Sequence, residues 1–288
     1  MTVGAVLVTG ATGTVGSSVV SDLLAMGEPV RAAVRDLGTK LPKGAVPVWF
    51  DFGEPSSWAG AFDGVDRLFL VRPPEISDVK TFLRPVVRMA ADRGLRQVVF
   101  LSVMGVNRFL PHWQVERDIE DAGLQHTFLR PAFFAQNLIS AYGHDIADRD
   151  RIRLASGRGR TSFVDTRDVA AVAAIALRNP ADHAARAYTL TGPAALTYGE
   201  VVVLLSAQLG RPIRYEAISL LRYRRELLSL GLDRGYANVQ LVINAVASLG
   251  LADKVTEEVR TVLGRDPIPL ARFIKDHASA WQPASFAG

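Results

Sequence analysis

The stretch Val6-Leu7-Val8-Thr9-Gly10-Ala11-Thr12-Gly13-Thr14-Val15-Gly16 decides the fold. An apolar run ends at Thr9, three glycines follow at three-residue spacing, and an apolar helix-like run begins. Strand, glycine turn and helix in that order open a dinucleotide-binding βαβ unit. A dinucleotide pyrophosphate is doubly anionic, and a helix N-terminus offers it unpaired N–H donors at the positive end of a dipole. Glycine lets the backbone turn sharply and approach phosphate with no Cβ in the way. The spacing is Gly-x-x-Gly-x-x-Gly, not the commoner Gly-x-Gly-x-x-Gly, and a tight turn without a ligand is the competing reading. Strand, turn, helix and position agree on cofactor binding by Gly10, Thr12, Gly13, Thr14, Val15 and Gly16.

Outward from this turn, short β-rich runs alternate with helical stretches. Strands are predicted at Ala5–Thr9, Val30–Val34, Ala45–Phe50, Arg67–Val71, Gln97–Ser102 and His126–Arg130. Helices are predicted at Val15–Met26, Ser56–Phe62, Val79–Arg93 and Pro111–Ala122. This alternation argues an α/β fold with a Rossmann-type, doubly wound parallel sheet. The strands read as continuous Val/Leu/Phe runs, as strands buried on both faces do.

After Arg130-Pro131 the rhythm changes. A helix-like stretch covers Phe134–Ala147, then Arg151–Val164 carries Gly157 and Gly159. A helix over Thr166–Leu177 stops at Asn179-Pro180, and short strands follow at Ala187–Thr191 and Ile213–Ile218. From Ser219 to about His277 the chain reads as mostly helical. The expected division is a dinucleotide-binding core over 1–131 and a smaller, mostly helical substrate-binding part over 132–288. The segment of about 163–191 is expected to return to the core sheet.

Cofactor choice is read at the tip of the second strand, where an acidic residue suits NAD and an arginine suits the 2′-phosphate of NADP. The segment runs Val30-Arg31-Ala32-Ala33-Val34-Arg35-Asp36. Its first charge past the strand core is Arg35, with Arg31 on the same side, so NADPH is expected over NADH. Asp36 offers the competing reading, a ribose contact or a turn cap. Asp51, Phe52, Val71 and Ser102, at the ends of later strands, complete the expected cofactor-binding set.

The 288 residues carry 33 Lys+Arg against 29 Asp+Glu, a net charge of +4, and 49% hydrophobic residues, an ordinary globular balance. There is no cysteine, which excludes a disulfide framework, a thiolate nucleophile and a Cys-ligated metal. His112, His126, His144, His183 and His277 are scattered, so no metal site is expected. The densest basic cluster, Arg222-Tyr223-Arg224-Arg225, is followed at once by Glu226 and reads as a solvated helix face, so no nucleic-acid partner is expected. No apolar run approaches the ~18 residues of a membrane helix. The N-terminus lacks a basic leader and reads as a first strand. A soluble, cytoplasmic protein, monomer or homodimer, is the expectation.

The combination resembles the atypical short-chain dehydrogenase/reductase superfamily and, within it, the NmrA-like group. The resemblance rests on Gly10 to Gly16 with Val34-Arg35, on Leu101-Ser102, and on Leu129-Arg130-Pro131-Ala-Phe-Phe with Asn137 downstream. It rests also on Phe163-Val164-Asp165-Thr-Arg-Asp168-Val-Ala. It implies a Rossmann core with a small C-terminal substrate-binding part. It also implies one of two functions: NADPH-dependent reduction of quinones, iminium ions or isoflavone-type compounds, or dinucleotide sensing without turnover through a protein partner.

The superfamily's Tyr-x-x-x-Lys pair is absent. Four residues after Tyr142, Tyr188, Tyr198, Tyr215, Tyr223 and Tyr236 stand Ile146, Gly192, Val202, Ser219, Leu227 and Gln240. In its place stand His112 and Glu116, four apart on one helix face, as the resemblance implies for the subgroup. They are candidate catalytic residues, with a surface histidine beside an acid as the alternative. Reducing a plain ketone creates a basic alkoxide that needs a positioned acid. Hydride addition to a quinone gives a delocalised, weakly basic anion, and addition to an iminium ion needs no proton at carbon or nitrogen. Both reactions ask mainly for orientation. The expected substrate is therefore a small aromatic or conjugated molecule, in a pocket drawn from Phe109, Trp113, Phe133, Phe134 and Phe163. Asp165 and Asp168 are expected to cap the helix that follows them.

Overall fold

The computed structural model describes residues 4–282. In chain order the strands are β1 (Ala5–Val8), β2 (Val30–Val34), β3 (Val46–Trp49), β4 (Val65–Val71), β5 (Gln97–Leu101), β6 (His126–Pro131) and β7 (Phe133–Phe134). They continue as β8 (Arg151–Leu154), β9 (Arg160–Val164), β10 (Arg186–Leu190), β11 (Ala195–Thr197) and β12 (Arg214–Ala217). The helices are α1 (Thr14–Ala25), α2 (Trp58–Ala61), α3 (Val79–Phe82), α4 (Arg84–Asp92), α5 (Pro111–Asp121), α6 (Asn137–Ser140) and α7 (Gly143–Arg149). After these come α8 (Thr166–Arg178), α9 (Tyr198–Leu209), α10 (Leu220–Ser229), α11 (Arg234–Ser248), α12 (Glu258–Leu263) and α13 (Leu270–Asp276).

The chain folds into two compact units. The first comprises Met1–Pro131, Thr166–Leu190 and Glu258–Arg265. Its sheet has seven strands in the order β3-β2-β1-β4-β5-β6-β10, every neighbouring pair parallel. Order reverses between β1 and β4, the switch point at which doubly wound sheets open a ligand crevice. Leu7, Leu68, Leu70, Val98 and Phe100 are buried with Phe62, Trp58 and Ile119 on one side of the sheet. Helices α1 and α8 pack together within this unit.

The second unit comprises Ala132–Asp165, Thr191–Glu257 and Asp266–Gly288. It holds the sheet β11-β9-β7 and the parallel pair β12-β8. Thr197 starts α9 with a full capping box to Glu200. Its core gathers Tyr142, Phe163, Tyr198, Phe273 and Trp281. The Trp281 indole donates to the Leu138 carbonyl at 3.0 Å, so the largest core side chain is satisfied as well as buried.

Three local expectations are corrected. The single helix predicted over Val79–Arg93 breaks at Leu83 between α3 and α4, because Pro85 in the first turn of α4 has no N–H to donate to the preceding turn. The helix-like stretch Phe134–Ala147 begins as strand: Phe133 and Phe134 pair with Phe163 and Val164, and Ala135 N donates to Val164 O at 2.9 Å. Helix follows only as the short pieces α6 and α7. Asp168 lies inside the first turn of α8, not at its cap, and its buried carboxylate meets Arg265 at 2.7 Å.

Candidate functional site

Because the strands of the first unit run parallel, their C-terminal ends share one sheet edge. Four adjacent strands bring four of the candidate residues there: Gly10 after β1, Arg35 after β2, Val71 at the end of β4 and Ser102 after β5. Thr9 fastens the switch point, its hydroxyl donating to the Phe69 carbonyl at 3.0 Å and accepting from Val71 N–H at 2.8 Å. No sequence signal marks that role, which depends on β4 lying beside β1.

The glycines of the turn have separate duties. Gly10 adopts φ +62, a left-handed conformation that glycine takes without the strain a Cβ would bring. A Cβ on Gly16 would lie 2.1 Å from the Gly10 carbonyl oxygen, so the third glycine permits the helix to sit against the turn. A Cβ on Gly13 would lie 3.3 Å from the same oxygen. Helix α1 starts at Thr14 behind Gly13 as its N-cap, with no side-chain cap and no acidic residue in its first turn. Its first-turn N–H groups therefore face an edge where an anion is favoured. Thr12 and Thr14 are exposed beside them, while Val15 is buried and anchors the helix to the sheet.

The two arginines of β2 part company. Arg31 is committed to the fold: its guanidinium donates to the carbonyls of Gly60 at 2.7 Å and Ala61 at 3.2 Å, satisfying the end of α2. Arg35 is exposed and has no hydrogen-bond or ion-pair partner among the described residues. Asp36 accepts from Gly38 N–H at 2.9 Å and so shapes its own turn. Asp51 does the same for Gly53 at 2.7 Å, while its carbonyl accepts the Trp58 indole N–H at 2.7 Å. Phe52 is buried against Phe50, ring centroids 5.0 Å apart. Ser102 is buried, its backbone N–H donating to Leu129 O at 2.7 Å, but its hydroxyl finds no protein partner. A buried, unpartnered hydroxyl at this edge is an offer to a ligand.

Helix α5 carries His112 and Glu116, but they do not pair with each other. Glu116 is buried and receives both arms of Arg130, Nε at 3.0 Å and Nη2 at 2.7 Å. Arg130 leaves β6, so this ion pair ties α5 to the sheet. His112 Nε2 accepts a long, 3.4 Å hydrogen bond from Arg72 Nε, which leaves the proton on Nδ1, buried and without a partner. Arg72 is held by the carbonyls of Pro73, Pro74 and Ile76. Burial, and then the Arg72 charge, lower the His112 pKa to about 4, so its imidazole is neutral near pH 7. The sequence places His112 and Glu116 on one helix but gives no sign that Arg72 and Arg130 are their partners.

The aromatic residues expected to form a pocket fall in both units. Phe109, 81% exposed with the Arg108 guanidinium 4.9 Å from its ring centroid, and the half-buried Trp113 belong to the first. Phe133, Phe134 and Phe163 belong to the second, where Phe133 and Phe163 meet edge-on at 5.7 Å. Phe163 also lines an apolar cavity of about 180 Å³ with Pro193, Leu196, Leu204, Pro269 and Leu270. Among the described residues no cluster of His, Asp and Glu can hold a metal ion, and no helix is long and apolar enough to cross a membrane.

A family model described as the NmrA-like family matches residues 2–262. The chain is 33% identical over 288 residues to an NAD(P)H azoreductase of Xenophilus azovorans, covering 97% of this chain and all of that one. It is 24% identical to quinone oxidoreductase 2 of Escherichia coli (strain K12), over 93% of this chain and 97% of the relative. Among solved structures, the triphenylmethane reductase of Citrobacter sp. complexed with NADP(H) superposes with a TM-score of 0.83 at 23% identity. That match covers 94% of this chain and 99% of the other.

Proposed function

The chain belongs to the NmrA-like family, and from that premise we propose that it is an NADPH-dependent oxidoreductase acting on flat, conjugated acceptors. One observation carries the reading: an uncapped helix N-terminus behind the Gly10–Gly16 turn, with the unpartnered Arg35 guanidinium on the neighbouring strand of the same edge. Those residues fit a dinucleotide. Gly10, Gly13 and Gly16 keep the turn clear of side chains, and the first-turn N–H groups of α1 take the pyrophosphate. Arg35 takes the 2′-phosphate, and the Ser102 hydroxyl reaches the cofactor from β5.

When bound, the reduced cofactor supplies a hydride, and the chain's task is to orient and shelter that transfer. No tyrosine–lysine pair stands ready to protonate an alkoxide, so acceptors with delocalised product anions are favoured. Quinones have that property, and the relatives include a quinone oxidoreductase as well as an NAD(P)H azoreductase. His112, neutral with its Nδ1–H unpartnered, is the candidate hydrogen-bond donor that would orient the acceptor, while water supplies the proton that completes the reduction. Glu116, saturated by Arg130, positions α5 instead of moving a proton. Within the first unit, Phe109 and Trp113 are the apolar side chains near His112 in sequence that are offered to the acceptor.

The test is a binding titration with NADPH and NADH followed by NADPH oxidation against azo dyes, quinones and simple aliphatic ketones. Turnover of the conjugated acceptors with little on the ketones is expected. Equal rates on both classes would refute the acceptor assignment, and tight NADPH binding with no turnover would replace the reductase with a sensor.

A further inference from the structure

From Gly235 to Ala252 the sequence contains no Asp, Glu, Lys or Arg. Most of that run is α11, which turns Ala237, Asn244 and Ala247 inward to its own unit. Val239, Val242, Val246 and Leu249 lie on the opposite side of the helix, with Val242 62% and Leu249 72% exposed. A helix apolar on two opposite faces is normally covered on both. Valine is also a poor choice for a water-facing helix position, because its χ1 freedom is lost with no packing in return. Helix α10 packs beside α11 and widens the patch through Leu221 and Leu230.

We propose that this outer face of α10 and α11 is a homodimer interface, set antiparallel against the same face of a second copy across a two-fold axis. The area fits. The exposed fractions of this patch, with Leu232, Tyr236 and Leu251, amount to about five whole apolar side chains, on the order of 500 Å². One side of a standard interface takes about 800 Å², a little over half of it apolar. The chemistry fits too. The α11 stripe at the centre of the face carries no charge, so it meets no like charge in its own copy, while the exposed Arg222 and Arg225 of α10 are left to the rim; the antiparallel arrangement opposes the two helix dipoles. The spacing is self-complementary: Val242 lies against the partner's Val246, and Val239 against the partner's Leu249. A membrane surface would ask for a basic polar face beside the apolar one. Here the side of α11 away from the stripe is buried in its own unit.

The test is the mass of the full chain by light scattering and sedimentation across the micromolar range. A dimer is expected, and the V242E/V246E double variant should raise its dissociation constant at least about a hundredfold, since each glutamate would be desolvated in the contact. Its circular dichroism should be unchanged, because both valines face solvent in the monomer. The chain has no cysteine, so V246C alone should crosslink with a short bismaleimide while R117C, on the other unit, should not. A monomer at every concentration overturns the proposal, as does a dimer that survives V242E/V246E. Monomers that sediment with lipid vesicles would overturn it as well. Should the double variant fail to fold, absence of the V246C crosslink is decisive.

Discussion

Replacing Arg35 with alanine separates cofactor recognition from folding. Arg35 is exposed and bonded to nothing in the described protein, so R35A removes no native contact. The stability of the free protein should stay within the roughly 0.5 kcal/mol typical of surface changes. A charge-assisted hydrogen bond to a phosphate contributes about 1.5–3 kcal/mol. Water competes at this open strand tip, so the lower figure applies, which is roughly a tenfold loss of NADPH affinity. NADH lacks the phosphate and should lose less than about twofold, and the NADPH penalty should shrink as salt rises. Arg31 is the control four residues away. Its bonds to the Gly60 and Ala61 carbonyls satisfy the end of α2. R31A should therefore lower stability by about 1 kcal/mol and leave the NADPH-to-NADH ratio alone. Calorimetric titration with both nucleotides, beside thermal unfolding of each free variant, gives all the needed numbers. Equal weakening of NADPH and NADH in R35A would refute the argument, as would a shifted ratio in R31A.

Gly16→Ala should destabilise by about 2–4 kcal/mol in urea and abolish NADPH binding, since the added Cβ would meet the Gly10 carbonyl oxygen at 2.1 Å and neither backbone can yield cheaply. Arg130→Ala strands the buried Glu116 carboxylate and should cost about 3 kcal/mol by denaturant unfolding. Glu116→Gln, which keeps the shape and some hydrogen bonding, should cost clearly less. Because His112 has a folded pKa of about 4 against 6.5 ordinarily, the unfolded chain binds a proton between those values that the native chain refuses. Stability should thus fall as pH drops through that window, by up to about 3 kcal/mol, and His112→Asn should flatten the slope.

Much of the fold is legible locally. The apolar run into Gly10, Gly13 and Gly16 announces strand, turn and helix because each depends on neighbours within a few residues. The β-rich runs likewise mark strands to within a residue or two, and the parallel sheet follows from their alternation with helices. Legibility fails where the outcome depends on a distant partner. Phe133 and Phe134 carry helical neighbours yet become strand, because Phe163 and Val164 offer backbone bonds thirty residues later. The helix over Val79–Arg93 was interrupted by a visible cue, Pro85, whose missing donor outweighs the apolar period.

The sequence by itself determined the strand–glycine turn–helix unit, the α/β class and the loss of the tyrosine–lysine pair, all set by residue type and short spacing. Only the tertiary structure decided which arginine of β2 is spent on α2 and which stays open, a choice made by where the Gly60 and Ala61 carbonyls come to rest. It likewise decided that Glu116 answers to Arg130 and His112 to Arg72, and that Asp168 meets Arg265 across nearly a hundred residues. Packing also decided which side of the charge-free run from Gly235 onward in α11 is covered and which stays open. Charges and apolar faces are visible in a chain, but their partners are assigned only when burial excludes water and brings distant segments together.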